Sequence, residues 1–231
     1  MSAIGWRFPP LSGGTRQGYT NNDIEVFKGQ ELIDNLAREI CQNSLDAHSN
    51  TTDAPVKVVF ELRYMDKRHG EVFTGYSKCL DGCKQYWKSE MDAKLQRFIT
   101  RAERMLASDR IPVLVAGDYN TKGLTGSHSR QLSSAWEALT GSDGVSVKSD
   151  DNSAGSYGIG KNVPFACSAL SMVFYNTLAE DGDSAFVGVA RLATLLNQAG
   201  KPTQRVGKYQ NNDEEAEEWT PIYPEDKDPF R

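Results

Sequence analysis

The stretch Leu36–His48 reads LAREICQNSLDAH and contains Glu39, Asn43 and Asp46. At about 100° per residue, these three fall within roughly 60° of arc on one helix face. Asn35 and Gln42 lie beside them, and Ile33, Leu36, Ala37, Ile40 and Ser44 form the adjoining arc, suited to packing on a sheet. The stripe contains no lysine, whereas a solvated face commonly mixes lysine with glutamate. Its chemistry is that of a phosphoryl site. Glu39 can take a proton from an attacking water, and Asn43 offers a neutral carbonyl oxygen to a hard cation such as Mg2+. The alternative reading is a solvated polar face.

A second candidate is GSYGIGKN, Gly155–Asn162. Gly155, Gly160 and Lys161 match the register of a P-loop, G-x-x-x-x-G-K-[ST], but Asn162 replaces the magnesium-binding hydroxyl. A P-loop follows a buried strand, and the preceding VKSDDNSA is polar and acidic. Three glycines in six residues before an apolar segment also suit backbone approach to a phosphate chain, or simply a tight turn.

The elements that must position these residues can be read from periodicity. A helix is expected from about Glu31 to His48. VKVVFELRYM (56–65) sets Val56, Val58, Phe60, Leu62 and Tyr64 against Lys57, Glu61 and Arg63, the pattern of a half-buried strand. Residues 77–108 form a long amphipathic helical stretch with a break expected near Gly82. IPVLVAGD (111–118) reads as a central strand that carries Asp118 at its end. Residues 119–154 are rich in Gly, Ser, Thr, Asn and Asp and read as a functional segment such as a lid, or else as disordered chain, with a short helix around Ser134–Leu139. SMVFYNTL (171–178) and AFVGVARLA (185–193) form a hairpin across AEDGDS. Residues 1–28 read as irregular, and 211–231 as an acidic linker or tail after a domain spanning 1–210. The order of elements implies an α+β fold.

The ordered set E-x-x-x-N-x-x-D-A (Glu39, Asn43, Asp46, Ala47), a strand ending in Asp118, and GSYGIGK resembles the GHKL ATPase superfamily of gyrase, the ninety-kilodalton heat-shock chaperone, histidine kinases and MutL. The likeness spans about Glu31 to Asn176 and is nearest the chaperone and MutL type. It implies a two-layer Bergerat-type sandwich of helices on a mixed, largely antiparallel sheet, with ATP and Mg2+ as cofactors. Glu39 would be the general base, Asn43 the Mg2+ ligand, and Asp118 the acceptor for the adenine amino group. Asp46, Gly123, Gly155, Ser156, Tyr157, Gly158, Ile159, Gly160 and Lys161 would complete the nucleotide site. Two positions depart from the family pattern. Lys161 stands where an aromatic is common, and DYNTKGLTG displaces Gly123 and Gly126 from the usual D-x-G-x-G. Of His48, His69 and His128, none precedes the first box, as a kinase phosphoacceptor would. The resemblance therefore implies slow hydrolysis, with an activating cation from a following domain or from an ATP-dependent homodimer. Two other classes stay open: a nucleotide-dependent interaction module without turnover, and a P-loop phosphotransferase.

The composition is compatible with that reading. Hydrophobic residues at 39% and charged residues at 25% allow a buried core in a chain of 231 residues. A net charge of -5 argues against a nucleic-acid surface spread over the whole chain. No run of about 18 apolar residues is present, and MSAIGWRFPPL lacks the pattern of a secretion signal, so a cytoplasmic setting is expected. Cys79 and Cys83 are spaced C-x3-C without a second ligand pair and read as neighbours on one helix rather than a zinc site.

Overall fold

The structure is a computed structural model that describes residues 3–19, 32–66, 70–129, 131, 133–141, 160–213 and 218–223. In chain order, its helices and strands begin with β1 (Ala3–Arg7), α1 (Leu32–Asp46), β2 (Lys57–Asp66), α2 (Glu71–Tyr86), α3 (Ala93–Ala107) and β3 (Arg110–Tyr119). After α4 (Ala135–Thr140), a 3-10 turn at Gly160–Asn162 leads into α5 (Val163–Cys167). The remaining strands are β4 (Met172–Leu178), β5 (Ser184–Arg191), β6 (Leu195–Leu196), β7 (Pro202–Thr203), β8 (Val206–Asp213) and β9 (Glu218–Thr220). The fold is α+β, as the order of elements implied, and every strand pairing among the described residues is antiparallel.

The main sheet has the order β1-β8-β5-β4, with β9 added to β8. β5 lies inside it, and its alternation divides the core. Phe186 and Ala190 point into a large cluster with α2 and α3, while Ala185, Val187 and Val189 point into a second cluster with Trp136 and Phe165. Helices therefore cover both faces of the sheet.

α2 buries Val72, Phe73, Tyr76, Leu80 and Cys83, and α3 buries Leu95, Phe98, Ile99 and Ala102. These are the i, i+3, i+4, i+7 spacings of a core-facing stripe. Trp6 joins β1 to α2. Its ring lies 5.5 Å from both Tyr76 and Tyr209, and its indole N–H donates to the Val72 carbonyl at 2.9 Å. The Tyr76 hydroxyl donates to the Leu170 carbonyl.

The expected break at Gly82 is not there. α2 runs through Gly82 to Tyr86, and α3 restarts at Asp92, whose carboxylate accepts from the Leu95 N–H at 2.8 Å. Gly82 serves a close approach instead, because a Cβ there would overlap the Leu196 carbonyl. Cys79 and Cys83 do share α2, and burial pushes both thiols up to about 12. No metal-binding cluster exists among the described residues.

Three further expectations need correction. Residues 1–28 are not wholly irregular, since Ala3–Arg7 pairs along β8. The acidic tail does not start at 211, because β8 continues to Asp213, Asn212 is buried, and Ile222 is 1% exposed and bridges Phe186. Finally, β3 is not a central strand. It pairs with β2 in a separate two-stranded ribbon, and Phe60, Leu62 and Tyr64 are exposed rather than half-buried.

Candidate functional site

α1 carries the acid–amide–acid stripe and packs against α5 and the Gly160–Asn162 turn. Leu36 and Ser44 are its buried residues, and the Ser44 hydroxyl back-bonds to the Ile40 carbonyl at 2.9 Å. This is the apolar arc the sequence indicated, with one exception: Ile33 is 62% exposed. Of the polar arc, Gln42, Asn43 and Asp46 are exposed, while Asn35 and Glu39 are half-buried. Asn43 Nδ2 donates to Glu39 Oε1 at 3.3 Å, and Gln42 Nε2 donates to Asp46 Oδ1 at 2.9 Å. With its amide N–H committed to Glu39, Asn43 keeps its carbonyl oxygen as the acceptor open to a cation.

The central observation is where Glu39 ends. Its carboxylate lies directly over Gly160, so that a Cβ at Gly160 would overlap both carboxylate oxygens. Gly160 is buried and opens the 3-10 turn that leads into α5. Two residues far apart in the chain, one from each glycine- or glutamate-bearing motif, thus meet face to face. A side chain at position 160 would displace the acid.

Lys161 and Asn162 complete that turn. Asn162 does not sit as a magnesium ligand would in a P-loop, because its Oδ1 accepts from the Arg191 guanidinium. Arg191, at the end of β5, also lies over the Phe165 ring with its central carbon 4.2 Å from the centroid. A cation is therefore held beside this turn. Sequence reading missed it, because an arginine at a strand end carries no local pattern.

Asp118 stands elsewhere. It is exposed near the end of β3, opposite Val58. The segment after it is tied to the C-terminal end of α1: Lys122 N–H donates to the Ala47 carbonyl at 2.7 Å, and Ser49 N–H donates to the Asn120 carbonyl at 3.1 Å. The first motif and the Asp118 strand are thereby neighbours through backbone bonds, while no hydrogen bond between the Asp118 and Glu39 side chains occurs in the structure.

Gly123 is explained by packing. Its φ is +65°, and a Cβ there would come within 2.9 Å of Ala179 Cα and 3.1 Å of the Leu178 carbonyl oxygen. Leu124 N–H donates to Thr177 Oγ1 at 2.9 Å, so the start of the expected lid is fastened to the end of β4. His128 fastens it further, stacking on Tyr223 with centroids 4.1 Å apart and pairing with Asp183 at 3.0 Å. The His128 hydrogen bond is the main cause that holds the Asp183 carboxyl below its ordinary range. The expected short helix is present as α4, with the Ser134 hydroxyl accepting from the Glu137 N–H at 3.1 Å. Gly155, Ser156, Tyr157, Gly158 and Ile159 lie outside the described residues, as do residues 142–154 at the end of the lid.

No helix among the described residues is long and apolar enough to cross a membrane. No family model, curated protein or solved structure matches the chain.

Proposed function

We propose that the chain is an ATP-binding domain of the GHKL type that binds Mg-ATP and hydrolyses it slowly. One observation carries this reading: the Glu39 carboxylate sits over Gly160 with Asn43 hydrogen-bonded to it. A general base, a neutral oxygen donor and a glycine turn at a helix start are then within one small region.

In this reading a water held by Glu39 attacks the terminal phosphorus, the bond to the ADP oxygen breaks, and Glu39 takes the water's proton. Asn43 Oδ1 would hold Mg2+, which when bound neutralises charge on the phosphate oxygens. The backbone at Gly160 and Lys161 would face the phosphates. Asp118 would accept from the adenine amino group, and Arg191 adds positive charge next to the turn.

Calorimetry with ATP and ADP in Mg2+ tests the assignment, and no binding heat with either nucleotide would sink it. Glu39→Ala should keep nucleotide affinity and lower turnover by about 10^2–10^4-fold, the usual contribution of a general base. Undiminished turnover would remove Glu39 from that role. Gly160→Ala should act in the same direction by pushing the carboxylate aside.

A further inference from the structure

One exposed arc of α3 carries a single sign of charge. Lys94, Arg97, Arg101 and Arg104 are all exposed. At about 100° per residue, they fall within roughly 80° of one helix face. On one side this arc borders the buried stripe of Leu95, Phe98, Ile99 and Ala102, and the central carbon of the Arg101 guanidinium lies 6.0 Å from the Phe98 ring centroid. On the other side it borders Ala93, Gln96, Thr100 and Ala107, so no acid interrupts the row.

This pattern costs the helix stability. Residues three or four apart on a helix are neighbours, and like charges at that spacing repel. Lys94–Arg97, Arg97–Arg101 and Arg101–Arg104 are successive pairs of this kind. The other neighbours of the three arginines at that spacing are Ala93, Phe98, Thr100, Met105, Ala107 and Ser108, none of them acidic. Nearby acids are engaged elsewhere. Glu103 binds Lys84 at 2.6 Å, Glu90 binds Arg16 at 2.8 Å, and Asp92 caps the helix at the Leu95 N–H. Among the described residues, no carboxylate pairs with Arg97, Arg101 or Arg104. The fold leaves this repulsion in place, and an anion from outside the chain relieves it.

The shape of the row selects the anion. From Lys94 to Arg104 it runs about 15 Å, at about 1.5 Å of rise per residue. One strand of duplex DNA presents a phosphate about every 3.4 Å along the axis, so about four phosphates pass along such a row. Arg97, Arg101 and Arg104 add planar donor forks that suit phosphate oxygens. A flat anionic membrane fits less well. It meets the row together with Asp92 and Asp109 at its two ends, and the apolar side chains of α3 that would enter a bilayer are committed to the core. With a net charge of -5, the chain offers this contact as a local patch rather than over its whole surface. We propose that this arc of α3 binds the phosphate backbone of double-stranded DNA without reading its base sequence. The contact is independent of the nucleotide site and of the function proposed above.

Fluorescence anisotropy of a labelled DNA duplex of about 20 base pairs, titrated with the whole chain and no ATP, tests the surface. Affinity should fall about 100-fold between about 50 and 200 mM salt, the slope of about -3.6 expected for four neutralised phosphates. Two unrelated base sequences should bind within about threefold of each other. The double variant Arg97→Gln/Arg104→Gln should weaken binding at about 50 mM salt by about tenfold or more and halve the slope. Its circular dichroism should match the wild type, since both side chains are exposed. Lys201→Gln, at an exposed lysine outside the row, should bind as the wild type does. No binding at low salt would overturn the proposal, as would a wild-type slope no steeper than about -2. So would a double variant that binds like the wild type, an equal loss in Lys201→Gln, or displacement of the duplex by phosphatidylserine vesicles of equal anionic charge.

Discussion

α3 and the β2–β3 ribbon each carry an apolar stripe at the spacing of their element, and the two stripes end in opposite situations. α3 presents Leu95, Phe98, Ile99 and Ala102 at helical spacing, and all four are at most 3% exposed because α2 and the sheet lie against them. The ribbon presents Phe60, Leu62, Tyr64 and Leu114 at strand spacing, and all four stand at least 42% exposed. Periodicity specifies which face of an element is apolar. Whether another element covers that face depends on where the chain brings its neighbours, and no local pattern records this.

The sharpest way to break the comparison is to truncate one residue in each region. Leu95→Ala, in α3, should destabilise the chain by about 2–5 kcal/mol through lost burial and a residual cavity, read by chemical denaturation. Leu62→Ala should change stability by less than about 0.5 kcal/mol. Equal effects would mean that the ribbon's outer face is covered.

A smaller effect is expected at Gly82. Adding a methyl group there gains about 1 kcal/mol of helix propensity. It also drives a Cβ into the Leu196 carbonyl, so Gly82→Ala should still be destabilising by about 1–3 kcal/mol. Gly160→Ala differs in kind, since its obstacle is the end of a flexible glutamate side chain. Its thermal midpoint should change little while any turnover falls.

Asp92→Ala removes the bond to the Leu95 N–H and should cost about 1 kcal/mol in the same denaturation assay. The smallest expected effect is at the lid's anchor. Asp183 is held below its ordinary range mainly by the His128 hydrogen bond, so its contribution is present above the unfolded carboxylate pKa and is lost as pH falls through the folded one. The gap in thermal midpoint between wild type and Asp183→Asn should therefore be full above the ordinary carboxylate range and narrow as pH falls below it. A gap that stays constant would mean that the pair is not the cause.

Much of the fold was readable from local chemistry. α1, the β4–β5 hairpin and α4 follow from periodicity and turn residues. β8 was not readable, because GKYQNND is polar and looks like solvated chain. Gln210 and Asn212 are nonetheless buried, and the Asn212 amide donates to the Gly5 carbonyl at 3.1 Å. Polar residues can lie inside a sheet when neighbouring strands satisfy them, and only the assembled strands reveal those partners. The helix break was misplaced for a similar reason: Gly82 looks like a stop in one dimension but is where Leu196 passes close in three.

The candidate site divides in the same way. Sequence alone set Glu39, Asn43 and Asp46 on one face of α1, because 3.6 residues per turn fixes which side chains align. It also set the apolar rows of the ribbon, because strand side chains alternate with a period of two. Tertiary structure alone decided that Glu39 lies over Gly160, that Arg191 reaches Asn162, and that the Asp118 strand leaves the main sheet with an apolar face toward solvent. Helix and strand geometry act over a few residues, whereas these three outcomes depend on packing among segments distant in the chain.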